Sequence, residues 1–372
     1  MLSLRHVDYR TDRGELVAAW EKALRRCRSA TVFQTPQWIL PWYRNAPGRQ
    51  APLAVVASDH DGPVGIAPLV IQTGYAARVI RLASTGVSDY LDFVVAQGFE
   101  RQFGASLMAF LEGIRWDLLD LQQVPEGSIA ARQVMQAAVE RGFTLHTQVQ
   151  EVCPSVPLPD SWREFRASLS KSMRQNVDYY PRMALRRLGA RIQGPDSDGA
   201  GHLERIMALH QARWRRRWLP GSFGSRRVQD FHREVADGMS QRGSLALYTL
   251  WVNGWMGAGL YCLDYGDAVF YYSGGFHPAL GRYSPGTILV AKAIGDAIER
   301  GKRRFDLLRG GEPYKYRWGA RDRVNMRIRI APKTARGAAA MRLSLLSGAA
   351  EKRARGAFAS LCWRKSRPGA EQ

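Results

Sequence analysis

A chain of 372 residues is longer than one ordinary hydrophobic core supports and suits two domains. Its apolar content, 45%, is that of a globular protein, and no window is apolar for long enough to form a membrane-spanning helix. The net charge of +21 favours acidic partners such as CoA-like phosphates, phosphorylated or uronic sugars, anionic lipid or nucleic acid, without choosing between them.

The N-terminus reaches charge at Arg5, too early for a secretory leader, which gives a cytoplasmic expectation. Glu15 to Arg28 has helical spacing, and Pro36 opens a second short helix in the aromatic segment Phe33–Tyr43. Leu53–Ser58 and Val64–Gln72 read as paired strands across the Asp59-His60-Asp61-Gly62 turn, followed by strands at Val79–Leu82 and Tyr90–Val95. A helix at Phe103–Ile114, a strand at Trp116–Leu121, a helix at Ser128–Arg141 and a strand at Phe143–Val152 complete a mixed α/β domain over 1–155. Pro154, Pro157 and Pro159 mark its boundary.

A basic helical segment, 156–200, carries Lys171-Ser172-Met173-Arg174-Gln175-Asn176, is stopped by Gly189 and leads into a strand at Ala190–Gln193. Within 201–332, helices are expected at Leu203–Trp218 and Phe231–Ser240. A three-strand meander then follows at Ser244–Val252, Trp255–Leu263 and Ala268–Gly274. A helix at Thr287–Arg300, a strand at Arg304–Leu308 and a strand at Val324–Ile330 end this part. The coarse element order of the first half returns in the second, which suggests an internal duplication with no sequence repeat to mark it. Residues 333–372 form a basic, alanine-rich tail, read as a solvated end or as a helix for an anionic membrane surface or acidic partner, with Met341, Leu343, Leu345 and Leu346 among its arginines. Cys27, Cys153, Cys262 and Cys362 have no metal-ligand spacing, and no metal is expected.

Two segments concentrate chemistry. Phe305–Leu308 opens into a glycine-broken loop carrying Arg309, Glu312, Tyr314, Lys315, Tyr316 and Arg317, closed by Trp318 and Gly319. Upstream, Gly281-Arg282-Tyr283-Ser284-Pro285-Gly286-Thr287 runs into an apolar helix, a start whose free amides and positive dipole end suit phosphate or carboxylate. Together they read as a transferase site.

The phrase Phe305-Asp306-Leu307-Leu308-Arg309-Gly310 with Glu312 and Tyr314-Lys315-Tyr316 resembles the acetyltransferase-like family named after the bacterial cellulose-biosynthesis protein CelD. So do Leu169–Asn176, Phe33-Gln34-Thr35-Pro36-Gln37-Trp38 and Ser88-Asp89-Tyr90-Leu91-Asp92, and the resemblance covers about 30–330. That family lies in the GNAT superfamily near the Fem-type aminoacyltransferases. It implies tandem GNAT-like α/β domains, each a mixed, mostly antiparallel sheet flanked by helices. It also implies N- or O-acyl transfer by direct attack on a thioester. Acyl-CoA, acetyl-CoA first, would be co-substrate rather than a resident cofactor. The acceptor would be an amine or hydroxyl of a sugar, lipid or metabolite. The alternatives are a Fem-like transferase using aminoacyl-tRNA, the one nucleic acid expected, and a non-catalytic scaffold for polysaccharide synthesis at the inner membrane face.

Carried onto this chain, the resemblance places the donor pyrophosphate at Arg282, Ser284, Gly286 and Thr287. Pro285 stands where the superfamily's first loop glycine would be and removes one backbone donor. Glu312 is a general base or a substrate-binding carboxylate, and Lys315 either an oxyanion-stabilising ammonium or a surface lysine. Tyr314 or Tyr316 would protonate the departing thiolate. His277 is a base or a turn cap, and Asp306 faces a cleft or orders the loop. Asp89, Asp92, Tyr316, Arg317 and Trp214 are candidate substrate contacts, Trp214 by stacking on a sugar ring.

Overall fold

The computed structural model describes residues 2–45, 50–74, 77–196, 199–216 and 221–348. The first half runs β1 (Ser3–Val7), α1 (Arg13–Arg26), α2 (Pro36–Asn45), β2 (Gln50–Asp59), β3 (Gly62–Thr73), β4 (Arg78–Leu82), β5 (Val94–Val95), α3 (Glu100–Glu112), β6 (Leu118–Pro125), α4 (Ile129–Glu140) and β7 (Thr144–Pro157). Next come α5 (Trp162–Ser168), α6 (Lys171–Leu188), β8 (Arg191–Asp196), α7 (Gly199–Arg215), α8 (Arg226–Gln241), β9 (Leu245–Val252), β10 (Trp255–Tyr265) and β11 (Ala268–Phe276). α9 (Pro285–Glu299), β12 (Arg304–Asp306), the single turn α10 (Pro313–Tyr316), β13 (Arg321–Ala331) and a last helix, α11, over 335–348 follow.

Local chemistry sets several of these ends. Ser170 caps α6 by accepting from the Met173 amide, and Gly189 stops it in the left-handed region at φ 56°. Ser225 caps α8 on the Val228 amide. α1 buries Leu16, Ala19, Trp20, Ala23 and Leu24, a stripe at helical spacing.

The described strands form one sheet in the order β1-β2-β3-β4-β6-β13-β7-β12-β11-β10-β9-β8, with β5 beside β3. Read inward from either edge, the pattern is the same. Three antiparallel steps lead to a parallel pair, β4 with β6 at one end and β11 with β12 at the other. The halves exchange their last strands, because β13 lies on β6 while β7 lies on β12. The architecture is tandem and GNAT-like, with two similar halves joined in one mixed, mostly antiparallel sheet flanked by helices.

On the β8–β12 side, α5, α6 and α9 cover one sheet face, with Phe165, Met173, Ile288, Leu289 and Ile294 in its core. α7 and α8 cover the other, in a core that runs on to Trp20, Phe33 and Trp38 of the first half. α7 lies unusually close to the sheet at Gly275. A Cβ there would come within 2.7 Å of the Leu209 carbonyl carbon and would also strike the His210 amide nitrogen.

Three local expectations change. The Tyr90–Val95 strand shrinks to Val94–Val95, since Tyr90 adopts φ 51° and leaves the extended region. The proline-marked boundary is not a break: β7 continues through Pro154 to Pro157, with the Pro154 carbonyl accepting the Leu307 amide and Asp322 facing Pro154 from β13. The tail begins as helix, not as a solvated end. Ala340 and Met341 are buried with Leu118 and Ala331, and Ser344 accepts from Arg329 Nε at 2.8 Å, while Leu343 and Leu346 stay exposed. The tail beyond 348, with Cys362, lies outside the described residues.

Candidate functional site

The site is built where two parallel strands part. β11 pairs with β12 only from Ala268–Phe270 to Arg304–Asp306, and then β11 runs on to Phe276 while β12 ends. β11 also carries a bulge. Tyr261 pairs with Ser273 but Cys262 with Tyr271, so Tyr272 is the extra residue. Tyr272 donates to the Val87 carbonyl at 2.8 Å and packs on Trp38 and His232, while Ser273 Oγ lies 3.0 Å from His210 Nδ1.

Two clefts meet at this wedge. The first, about 380 Å³, lies between α6, the β10–β11 pair and the start of α9. Asn176 and Tyr180 line it from α6, Ser284, Gly286 and Thr287 from the α9 start, and Arg317 and Trp318 from the far side. Among the described residues, its lining includes Arg213 and Arg317 and no carboxylate. Ser284 sits at φ 47° and makes no side-chain cap; its carbonyl accepts the Thr287 amide at 2.9 Å, and Gly286 lines the cleft from the first turn of α9.

The second cleft, about 590 Å³, is closed by both halves of the chain. Gly86, Val87 and Asp89 come from the loop after β4, His210, Arg213 and Trp214 from α7, and Glu312, Tyr314 and Lys315 from the loop after β12. Arg213, Tyr271, Gly274 and Tyr314 line both clefts. The Arg213 guanidinium stands 5.1 Å over the Phe276 ring.

The two loops are clasped together. Arg309 Nε lies 3.0 Å from Asp89 Oδ1, and Arg309 Nη2 donates to the Gly86 and Ser88 carbonyls at 3.2 and 3.1 Å. Beneath them the Tyr90 hydroxyl reaches both oxygens of Asp306, at 3.0 and 2.8 Å, and Asp306 Oδ1 also accepts the Leu308 amide at 2.9 Å. Asp306 is fully buried, and burial pushes its carboxyl up to about 6.

The expected site residues therefore separate. Glu312, Tyr314 and Lys315 share the second cleft with Asp89 and Trp214; Ser284, Gly286, Thr287 and Arg317 share the first. Lys315 is buried, with its ammonium donating to the carbonyls of Leu308 at 3.0 Å, Arg309 at 2.7 Å and Gly310 at 2.9 Å, and standing 2.9 Å from Glu312 Oε2. Tyr316 lines neither cleft and donates to Asp322 Oδ1 at 2.8 Å. Arg282 is exposed and lies 5.0 Å over its neighbour's ring, Tyr283. His277 is exposed; its Nδ1 accepts the Ala279 amide at 3.4 Å, capping a 3-10 turn, and its ring meets Trp255. Asp92 is buried in the first half on the Phe93 amide, and burial pushes it up to about 6. Arg217 and Trp218, the end of the arginine–tryptophan run, lie outside the described residues.

Sequence reasoning missed His210, Ser273 and Tyr271. A histidine inside a helix such as α7 carries no local signal; the clue available was Arg213-Trp214 one helical turn later on the same face.

Residues 164–316 match the family model of the Acetyltransferase (GNAT) domain. The fold is GNAT-like. The solved structure of FemX matches with a TM-score of 0.62 at 11% identity, over 88% of this chain and 96% of that one. The C-terminal DUF2156 domain of a putative lysylphosphatidylglycerol synthetase from Agrobacterium fabrum gives 0.55 at 10% identity, over 90% and 96%. L-PGS from Bacillus licheniformis gives 0.54 at 9%, over 88% and 95%. No curated protein matches the sequence. The GNAT match begins in α5 and ends with α10, so it contains the parting strands and most of both cleft linings.

Proposed function

We propose that the protein transfers an acyl group from a thioester of the acyl-CoA type, bound in the first cleft, to an amine or hydroxyl entering the second. The observation that carries this reading is the meeting of the clefts at Tyr271, Gly274, Arg213 and Tyr314, where a thioester carbonyl from one side reaches a nucleophile from the other. A lining with two arginines, no carboxylate and an open helix start suits the donor's phosphates, with Gly286, Thr287 and Arg317 nearest.

The nucleophile attacks the thioester carbonyl, the C–S bond breaks, and the thiolate leaves with no acyl-enzyme. Alignment across the wedge supplies much of the rate. Glu312, half-exposed at the mouth of the second cleft, takes the acceptor's proton. Tyr314 gives a proton to the thiolate. It lines both clefts, and its phenol, like any ordinary tyrosine, is protonated at neutral pH. Lys315 acts as a positioning residue, shaping the loop that carries Glu312 and Tyr314. The CelD-like resemblance favours a sugar, lipid or metabolite acceptor, and Trp214 and Asp89 would contact it.

Calorimetric titration with acetyl-CoA and longer acyl-CoAs tests the reading. Saturable binding is expected, weakened by Arg317→Ala and little changed by Arg282→Ala, whose side chain rests on Tyr283. No saturable binding at any chain length would overturn the acyl-CoA reading.

A further inference from the structure

The pairing of His210 with Ser273 has a chemical direction that the contacts themselves fix. His210 Nε2 faces the Ser222 amide at 3.4 Å, and His210 Nδ1 faces the Gly274 carbonyl at 3.3 Å as well as Ser273 Oγ at 3.0 Å. An amide N–H meets only an unprotonated ring nitrogen, and a carbonyl meets only an N–H. Both contacts place the single proton of the neutral imidazole on Nδ1. Burial pushes the imidazole down to about 4, so it is neutral at ordinary pH.

The consequence falls on Ser273. Its oxygen receives the Nδ1–H, so its own hydroxyl proton is turned away from the ring. The bulge at Tyr272 puts Ser273 on the lining of the second cleft, one residue before Gly274, which both clefts share. The ring is held in place by Phe223 and Trp214 and by the approach of α7 to Gly275.

We propose that the Ser273 hydroxyl is the hydrogen-bond donor to the reacting thioester carbonyl, and that His210 is the positioning residue that aims it. This rests on the acyl-transfer reading above. As the nucleophile bonds to the carbonyl carbon, the C=O π pair moves to oxygen, and Ser273 donates to that oxyanion. The pair returns as the C–S bond breaks and the thiolate leaves. Ser273 keeps its proton throughout, and His210 takes none.

Two measurements test it on the full chain. Nitrogen-15 chemical shifts of the histidine rings, with His210→Asn assigning the signal, should show His210 protonated on Nδ1; an Nε2–H ring would overturn the assignment with no donor needed. Isotope-edited infrared spectra of bound [1-¹³C]acetyl-CoA should show a lowered carbonyl stretch. That shift should be lost in Ser273→Ala, kept in Ser273→Thr and reduced in His210→Asn. An unchanged stretch in Ser273→Ala with acetyl-CoA still bound overturns this inference alone and leaves the acyl-transfer reading standing. Failure of the wild-type chain to bind acetyl-CoA overturns both.

Discussion

Replacing Asp306 by Asn isolates the buried link that holds the reactive loop to the first half. The carboxylate has no solvent contact, receives Tyr90 and the Leu308 amide, and stands 3.9 Å from Arg304 Nε. Burial outweighs these partners and raises the carboxyl from 3.8 to about 6. The folded state therefore holds this proton more tightly than the unfolded chain. The stability involved is present below pH 3.8 and is lost as pH rises to about 6. At about 1.4 kcal/mol per pH unit, the loss is about 3 kcal/mol. The wild-type curve alone does not reveal it, because other groups act in the same window. Asp92 adds a slope of the same sign, while His210 and His232, pushed down to about 4 and about 3 by burial, gain stability as pH rises toward 6.5. The difference between Asp306→Asn and wild type cancels those groups. Urea unfolding at pH 4, 5, 6 and 7 should show the variant gaining on wild type by about 2.4 kcal/mol across the range, the rest of the loss lying below pH 4. A difference independent of pH would refute the reasoning.

Two further substitutions separate chemistry from loop geometry. Tyr314→Phe should leave acetyl-CoA affinity intact and lower turnover about 100-fold, the scale of a lost general acid; an unchanged rate, followed by thiol release, would remove Tyr314 from the reaction. Lys315→Met leaves the Leu308, Arg309 and Gly310 carbonyls without their shared donor and should cost about 3 kcal/mol in urea unfolding. Lys315→Arg should not restore it, since a planar fork does not match three converging carbonyls, and a variant as stable as wild type would return Lys315 to a purely electrostatic role.

Most elements were legible because their signals are local. The meander came from turns at Asn253-Gly254 and Gly266 between apolar runs, and α9 from the uninterrupted face Ile288, Leu289, Ala291 and Ile294. β1 carries too few apolar residues to announce itself, and it exists because its backbone pairs with β2. β7 was cut short because proline argues against an interior strand, yet at Pro154 only the carbonyl is asked to bond, to Leu307. The site followed the same rule. The loop after β12 and the α9 start stand out by composition, so Glu312, Tyr314, Gly286 and Thr287 were legible as candidates, and all four line the clefts. His210 and Ser273 meet across 63 positions of sequence through a bulge and a glycine contact, and nothing near either residue predicts the other.

The duplicated strand order explains why the chemistry gathers in one half. In each half a helix follows the strand that enters the parallel pair, and a second helix follows that strand's partner: α3 and α4 in the first half, α9 and α10 in the second. α4 has 12 residues and lies against α3 so closely that a Cβ on Gly104 would stand 2.6 Å from the Gln133 carbonyl. α10 has 4 residues, and Tyr314 on it and Leu289 and Val290 on α9 line an open cleft instead. The full-length α4 packs on α3, whereas the single turn of α10 leaves the start of α9 facing the first cleft. The first half lends the loop after β4 to the neighbouring cleft, where Asp89 holds Arg309 and Tyr90 holds Asp306. The exchange of β7 and β13 at the centre of the sheet keeps those two loops in register. One half thus serves as a wall of the second cleft, and on the proposed acyl-transfer reading a change of acceptor specificity is expected from loop 84–92 as readily as from the second half.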